Sequence, residues 1–307
     1  MRFAQAEGSI RPTFDIARSQ MTFYTRPARR VVNSTVAVQP VVTNIGGLSI
    51  ALFGDDPAFV QVLQKRYAGF VNPTDDFQFR INIELVEQTT KFEHSQDLKV
   101  EREAGLWTFR RGDFRAEWNP GTGIGKILQS VNPYSADAVL RIVHTLILAR
   151  QGGFLLHAAS AVRDGRAFIF SGVSGAGKTT ISRLAPPDAT LLTDEISYIR
   201  PDGNGYRAFG TPFAGELATL GENVSAPLST LFFLEKGKEN RVETISRDQA
   251  MRALLRNVLF FAEDAELVNL VFQSACNFVE RVPIRKLVFA PDQRVWETIC
   301  SENQPPR

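Results

Sequence analysis

Cysteine is nearly absent from this chain: Cys276 and Cys300 are the only two in 307 residues, and they lack C-x-x-C spacing. A disulfide-stapled scaffold is therefore not expected. Histidine is almost as scarce, and His94, His144 and His157 lie far apart, so a zinc site is not expected either. No excess of one charge is present: 35 basic residues face 33 acidic ones for a net charge of +2, and Pro27 to Arg30 is the longest basic run. That balance leaves no electrostatic footprint for nucleic acid. Long apolar runs are missing too. No window approaches the roughly eighteen uninterrupted apolar residues of a membrane span, and MRFAQAEGSIRPTFD carries no apolar core of the secretory kind. The expectation is a cytoplasmic protein without membrane contact. Internal repeats and low-complexity tracts are also lacking.

What is present is an ordinary globular composition, 44% hydrophobic, with length enough for about two domains. The first thirty-odd residues read as an irregular arm rich in Arg, Pro and Thr. LSIALFGD then predicts a strand, and Pro57 to Tyr67 a helix opened by a proline. FQFRINIELV alternates, Phe79, Ile81, Ile83 and Leu85 on one face against polar partners on the other, which predicts a half-buried antiparallel strand. LWTFRRGDFRAEW reads as a hairpin turning near Arg111-Gly112-Asp113. GTGIGK at Gly121 to Lys126 imitates a phosphate loop, but its spacing is wrong and no hydroxyl follows the lysine, so it reads as a flexible turn. Ser135 to Arg150 predicts a helix N-capped by Ser135 and stopped by Gly152-Gly153, with His144 beside its apolar stripe as a packing residue.

From Phe154 the pattern changes. FLLHAASAV and AFIFSG flank Arg163-Asp164-Gly165-Arg166, and Asp-Gly between apolar runs predicts a two-residue hairpin turn. GVSGAGKTT follows at once, matching G-x-x-x-x-G-K-[ST] with Gly172, Gly177, Lys178 and Thr179. Glycines let successive N–H groups turn inward around phosphate oxygens while the next helix presents its positive end. The cradle is read as Gly172, Ser174, Gly175, Ala176, Gly177, Lys178, Thr179 and Thr180, with Lys178 reaching the β- and γ-phosphates and Thr179 ligating Mg²⁺. ATP and Mg²⁺ are the expected cofactors. The helix must be short, because Pro186-Pro187 ends it about two turns on.

ATLLTDEISYI, read as a strand, carries Asp194 and Glu195, sixteen and seventeen residues after Lys178. Adjacent carboxylates on extended backbone point to opposite sides and can divide the labour. Asp194 is the expected general base and Glu195 the expected metal partner, with the two roles exchangeable. Downstream, FGTPFAGE reads as a Gly/Pro loop with Glu216 its one plausible functional acid. A strand in LSTLFFL, a capping box at Ser246 and Gln249, a helix from about Asp264 to Glu280 and a strand in RKLVFA complete the pattern.

The order of a histidine on a strand, a hairpin, the glycine-rich loop, a short helix and an acid pair resembles the HPr kinase/phosphorylase family, which shares its nucleotide-binding core with phosphoenolpyruvate carboxykinase. The resemblance spans about His157 to Glu216. It implies an α/β fold with a P-loop kinase core, ATP-dependent transfer to a hydroxyl with Mg²⁺, and a homo-oligomer. It also implies catalytic roles for His157, Lys178 and Asp194. Glu195 stands where that family usually has a second aspartate, and the family's Glu-x-Arg-Gly signature, tied to phosphorolysis, is absent from the comparable stretch. The expected organisation is a smaller α+β domain with its arm over residues 1–134 and the catalytic domain over 135–307. The expected function is an ATP- and Mg²⁺-dependent kinase whose phosphate acceptor is a protein, peptide or small molecule. The alternatives are a nucleotide-binding switch or assembly factor, and a carboxykinase-like enzyme, for which the chain is short.

Overall fold

The structure is a computed structural model that describes residues 38–72, 74, 76–86, 97–215 and 221–301. The expected N-terminal arm, His94 and Glu216 lie outside the described residues. Within them the chain forms a mixed α/β architecture of two sheets and six helices.

The first sheet is built from β1 (Val41–Ile45), β2 (Leu48–Gly54), β3 (Phe79–Leu85), β4 (Lys99–Glu103), β5 (Leu106–Arg111), β6 (Phe114–Asn119) and β7 (Ile124–Gln129), in the order β1-β2-β3-β7-β6-β5-β4. Helix α1 (Pro57–Arg66) connects β2 to β3, the long crossover that a parallel pair requires. Asp56 caps it, its carboxylate accepting from the amides of Ala58 and Phe59. The alternation expected in β3 is observed, with Ile81 and Ile83 buried and Arg80 and Glu84 exposed. Its expected antiparallel pairing is not: β3 runs parallel to both β2 and β7. Alternation reports one buried face and is silent on neighbour direction. The second half of GTGIGK is likewise no turn, since Ile124 to Lys126 open β7 and Lys126 pairs with Glu84 at 2.8 Å.

Helix α2 (Pro133–Arg150) joins the two sheets. Asn132 caps it, not Ser135 as expected; its side chain accepts from the amide of Tyr134, and Pro133 occupies the first turn, where its missing N–H costs nothing. Ser135 instead donates its hydroxyl to Asp113 at 2.7 Å. Apolar residues of α2, among them Leu140, Val143 and Leu146, pack with Trp107, Phe109, Ile196, Tyr198 and Phe213 in one continuous core.

The second sheet contains β8 (Phe154–Arg163), β9 (Arg166–Ser171), β10 (Thr190–Thr193), β11 (Ile196–Asp202), β12 (Gly205–Phe209), β13 (Ser225–Lys236), β14 (Arg241–Thr244), the short β15 (Val258–Leu259) and β16 (Ile284–Phe289). Its main path is β10-β8-β11-β12-β13-β16-β14, and β9 bridges β8 and β13. Helices α4 (Arg247–Asn257) and α5 (Ala265–Arg281) carry residues of a core with Phe154, Leu156 and Ile169. Helices α3 (Lys178–Arg183) and α6 (Val295–Ser301) carry residues of another with Ala159, Phe168 and Phe170. Strand β9 thus sends alternate residues into two cores, which is why AFIFS reads as an unbroken apolar run. Among the described residues no helix is long and apolar enough to cross a membrane.

Candidate functional site

The site begins at the hairpin of β8 and β9. Asp164 and Gly165 adopt φ of 51° and 70°, the left-handed pair that a two-residue turn with the twist of its strands demands. The hairpin is antiparallel as expected, and its register pairs Ala158 with Ser171. Ser171 is the last residue of β9; the glycine-rich loop follows, and α3 starts at Lys178.

Glycine is required within that loop for conformation and for space. Gly175 and Gly177 have φ of 77° and 112°, where a side chain is strained. A Cβ at Gly177 would lie 2.6 Å from the Phe289 ring, and one at Gly172 would lie 2.8 Å from Cβ of Ala176. Val173, Ser174 and Gly175 are exposed while Ala176 is buried, so the loop lifts its middle into solvent and anchors its far end. Lys178 arches back, its Nζ donating to the carbonyl of Gly172 at 3.0 Å. Thr179 and Thr180 lie in the first turn of α3. The N-cap is Gly177, which has no side-chain acceptor to offer the first turn.

The acid pair lies across β8 from this loop. ATLLTDEISYI is not one strand, as expected, but two: β10 ends at Thr193, β11 starts at Ile196, and both pair with β8. Asp194 and Glu195 occupy the break. Thr193 makes it, its Oγ1 accepting from the amides of Glu195 at 3.2 Å and Ile196 at 3.1 Å, a local bond that competes with the ladder. Ala158 donates its amide to the carbonyl of Glu195 at 2.9 Å, while His157 pairs with Ile196. One dipeptide of β8 therefore has the start of the loop on one side and the acids on the other.

Asp194 is 4% exposed, and its Oδ1 accepts the amide of Gly215 at 2.8 Å. The burial of Glu195 pushes its carboxyl up from its ordinary value, and the nearby Asp194 charge pushes the same way, against the pull of Arg141 and Lys178. His157 is held down to about 4, first by burial and then by the charges of Lys178 and Arg141, so its imidazole is neutral at pH 7. Its backbone carbonyl accepts the Ser171 hydroxyl at 3.0 Å. The structure thus places Lys178 within electrostatic reach of both His157 and Glu195. His144 is packed as expected: it is fully buried, with Nδ1 3.2 Å from the Tyr198 hydroxyl and burial lowering it to about 3.

Two neighbours of the site escape sequence reasoning. Gly215 sits in the stretch whose expected functional residue was Glu216, and only folding shows its contact with Asp194. Arg141 of α2 lies with its guanidinium carbon 5.0 Å from the centre of the Phe213 ring. A signal for it existed, because Arg141 is the one charge between Asp137 and Arg150 in SADAVLRIVHTLILAR.

A separate groove of about 380 Å³ lies on the first sheet, lined by Phe53, Asp55, Arg80, Asn82, Glu84 and Lys126 among others. Lys126 pairs with Glu84 there, and Arg80 donates to Asn82 at 2.9 Å over the Phe53 ring. It shares no residue with the loop or the acids, and no catalytic set converges there. The loop is the better fit for a nucleotide, since its left-handed glycines leave Gly175 with open space where a Cβ would stand. Among the described residues no three His, Cys, Asp or Glu side chains gather as a metal site. A metal here would take one or two carboxylates, a hydroxyl and phosphate oxygens, the donor set that suits Mg²⁺.

A family model described as "SynChlorMet cassette protein ScmC" matches residues 132–301, more than half of the chain. The chain belongs to the ScmC family. The matched stretch runs from the cap of α2 to the end of α6, so it holds the glycine-rich loop, the acid pair and Arg141. No curated protein matches the chain. Among solved structures, the Hpr(Ser) kinase/phosphatase from Coxiella burnetii is 14% identical and covers 40% of this chain and 88% of its own, with a TM-score of 0.22. At that score the likeness carries no argument.

Proposed function

We propose that this member of the ScmC family is an ATP- and Mg²⁺-dependent kinase that transfers the terminal phosphate to a hydroxyl of a protein, peptide or small molecule. The observation that carries the reading is the register of β8. One stretch of β8 pairs with the strand that leads into the glycine-rich loop and with the segment that carries the acid pair, of which Asp194 is buried and Glu195 half-buried. The order of these elements along the chain resembles HPr kinase, and that resemblance supports the same chemistry.

Bound Mg·ATP would supply the electrophilic phosphate and the divalent charge that offsets its negative oxygens. The loop amides and Lys178 would hold the phosphates, and Thr179 with the acid pair would hold the metal. Asp194 is suited to take the proton of the attacking hydroxyl, because the Gly215 amide fixes one of its oxygens and orients the other. Neutral His157 leaves the cations of the site, Lys178 and Arg141, free of added repulsion. The deciding experiment is transfer of labelled γ-phosphate from ATP with Mg²⁺ into lysate proteins and metabolites, comparing wild type with Asp194→Asn. A labelled species that depends on Asp194 supports the kinase. Label released only as free phosphate favours a nucleotide-driven switch.

A further inference from the structure

Arg141 stands one helical turn after Asp137 on α2, where an i, i+4 ion pair would be its natural partner. That carboxylate is already taken. The Tyr67 hydroxyl donates to Asp137 Oδ1 at 2.6 Å, and Arg66 donates from Nε to Oδ2 at 3.0 Å and again from its terminal nitrogen. Arg141 lies instead over Phe213, and its Nε is buried without a hydrogen-bond partner among the described residues. A buried guanidinium N–H left unpaired is costly unless something else satisfies it. Phe213 stands two residues before Gly215, the residue bonded to Asp194, so the ring under this cation belongs to the segment that holds Asp194. The charge of Arg141 is felt by both His157 and Glu195, the same two groups that feel Lys178.

We propose that Arg141 is the second cation of the phosphoryl site and binds oxygens of the terminal phosphate from the α2 side, complementing Lys178. This rests on the kinase reading above. A planar guanidinium fork suits phosphate oxygens, and its stacking on Phe213 fixes its direction. Arg141 thus distinguishes a nucleoside triphosphate from a diphosphate, and it holds the transferred group while Asp194 takes the acceptor proton.

The test is the affinity of the full chain for Mg·ADP and for the imido analogue of Mg·ATP, in wild type, Arg141→Gln and Arg141→Lys, by calorimetry. The expected result for Arg141→Gln is Mg·ADP affinity within about twofold of wild type and a loss of roughly 10- to 100-fold for the triphosphate analogue, the size of a charge-assisted hydrogen bond. Arg141→Lys should recover part of the triphosphate preference, since it keeps the charge and loses the fork. Equal loss for both nucleotides, or no loss for either, overturns the assignment. If Arg141→Gln does not fold, the preference of Arg141→Lys is read alone, and an unchanged ratio overturns it. Wild type that binds neither nucleotide removes the kinase reading itself, an outcome separate from the others.

Discussion

The Gly215 amide donates to Asp194 Oδ1 at 2.8 Å, and a Cβ at this position would stand 2.9 Å from Oδ2. The same Cβ would also lie 2.9 Å from that of Glu195. Both acids therefore constrain position 215 to glycine. Gly215→Ala should leave the cradle intact and displace the proposed base, so nucleotide affinity should persist while transfer falls by about 10²-fold, as a misplacement near 1 Å costs. Calorimetry beside a transfer assay reads the two effects separately, and a fully active Gly215→Ala would place the base elsewhere.

Lys178 and Asp194 should separate binding from transfer. Lys178→Ala removes the ammonium that closes the loop on the Gly172 carbonyl and should abolish the nucleotide-dependent rise in melting temperature. Asp194→Asn keeps size and the bond to Gly215 but cannot accept a proton, so binding should survive and transfer should drop by roughly 10²- to 10⁴-fold. Unchanged Mg·ATP affinity in Lys178→Ala would sink the assignment of the loop.

The turn, the loop and the cap were legible as local structure because they rest on local rules. Asp164-Gly165 names its turn, the glycine spacing names its loop, and Ser246 with Gln249 forms the expected capping box. The acids were visible as a pair, but the break between β10 and β11 that holds them is marked by Thr193, whose hydroxyl accepts the amides of Glu195 and Ile196 while the Glu195 carbonyl stays bonded to Ala158 of β8. What stayed hidden is what depends on distant chain segments. The parallel neighbours of β3 leave no trace in its alternation. Gly215 meets Asp194 across 21 residues of sequence, and Arg141 meets Phe213 from the helix that joins the sheets.

Trp296 should anchor the loop from behind. It is 1% exposed, donates Nε1 to the Ile181 carbonyl of α3 at 3.3 Å, and meets the Phe170 ring edge-on at 5.5 Å. Helix α3 is too short to stand alone, so its position depends on such contacts. Trp296→Ala should cost about 3 to 5 kcal/mol in denaturant unfolding and weaken nucleotide binding as α3 loosens. A loss below about 1 kcal/mol would mean that α6 contributes little to holding α3.

Acid should unfold the protein through two histidines that the fold holds neutral. His144, held near 3, is neutral when folded, but the unfolded chain protonates it below its ordinary value of 6.5. A lowered folded pKa means that the unfolded state binds more protons, so the stabilising contribution is present above 6.5 and is lost as pH falls toward 3. His157 acts in the same direction between 6.5 and about 4. Glu195 works oppositely: its raised carboxyl favours the folded state while protonated and loses that contribution as pH climbs above 4.5. Unfolding free energy measured from pH 4 to 6 should therefore rise with pH. His144→Gln should flatten that rise by roughly one proton, about 1.4 kcal/mol per pH unit. An identical slope in His144→Gln and wild type would show that His144 is protonated without cost in the folded protein.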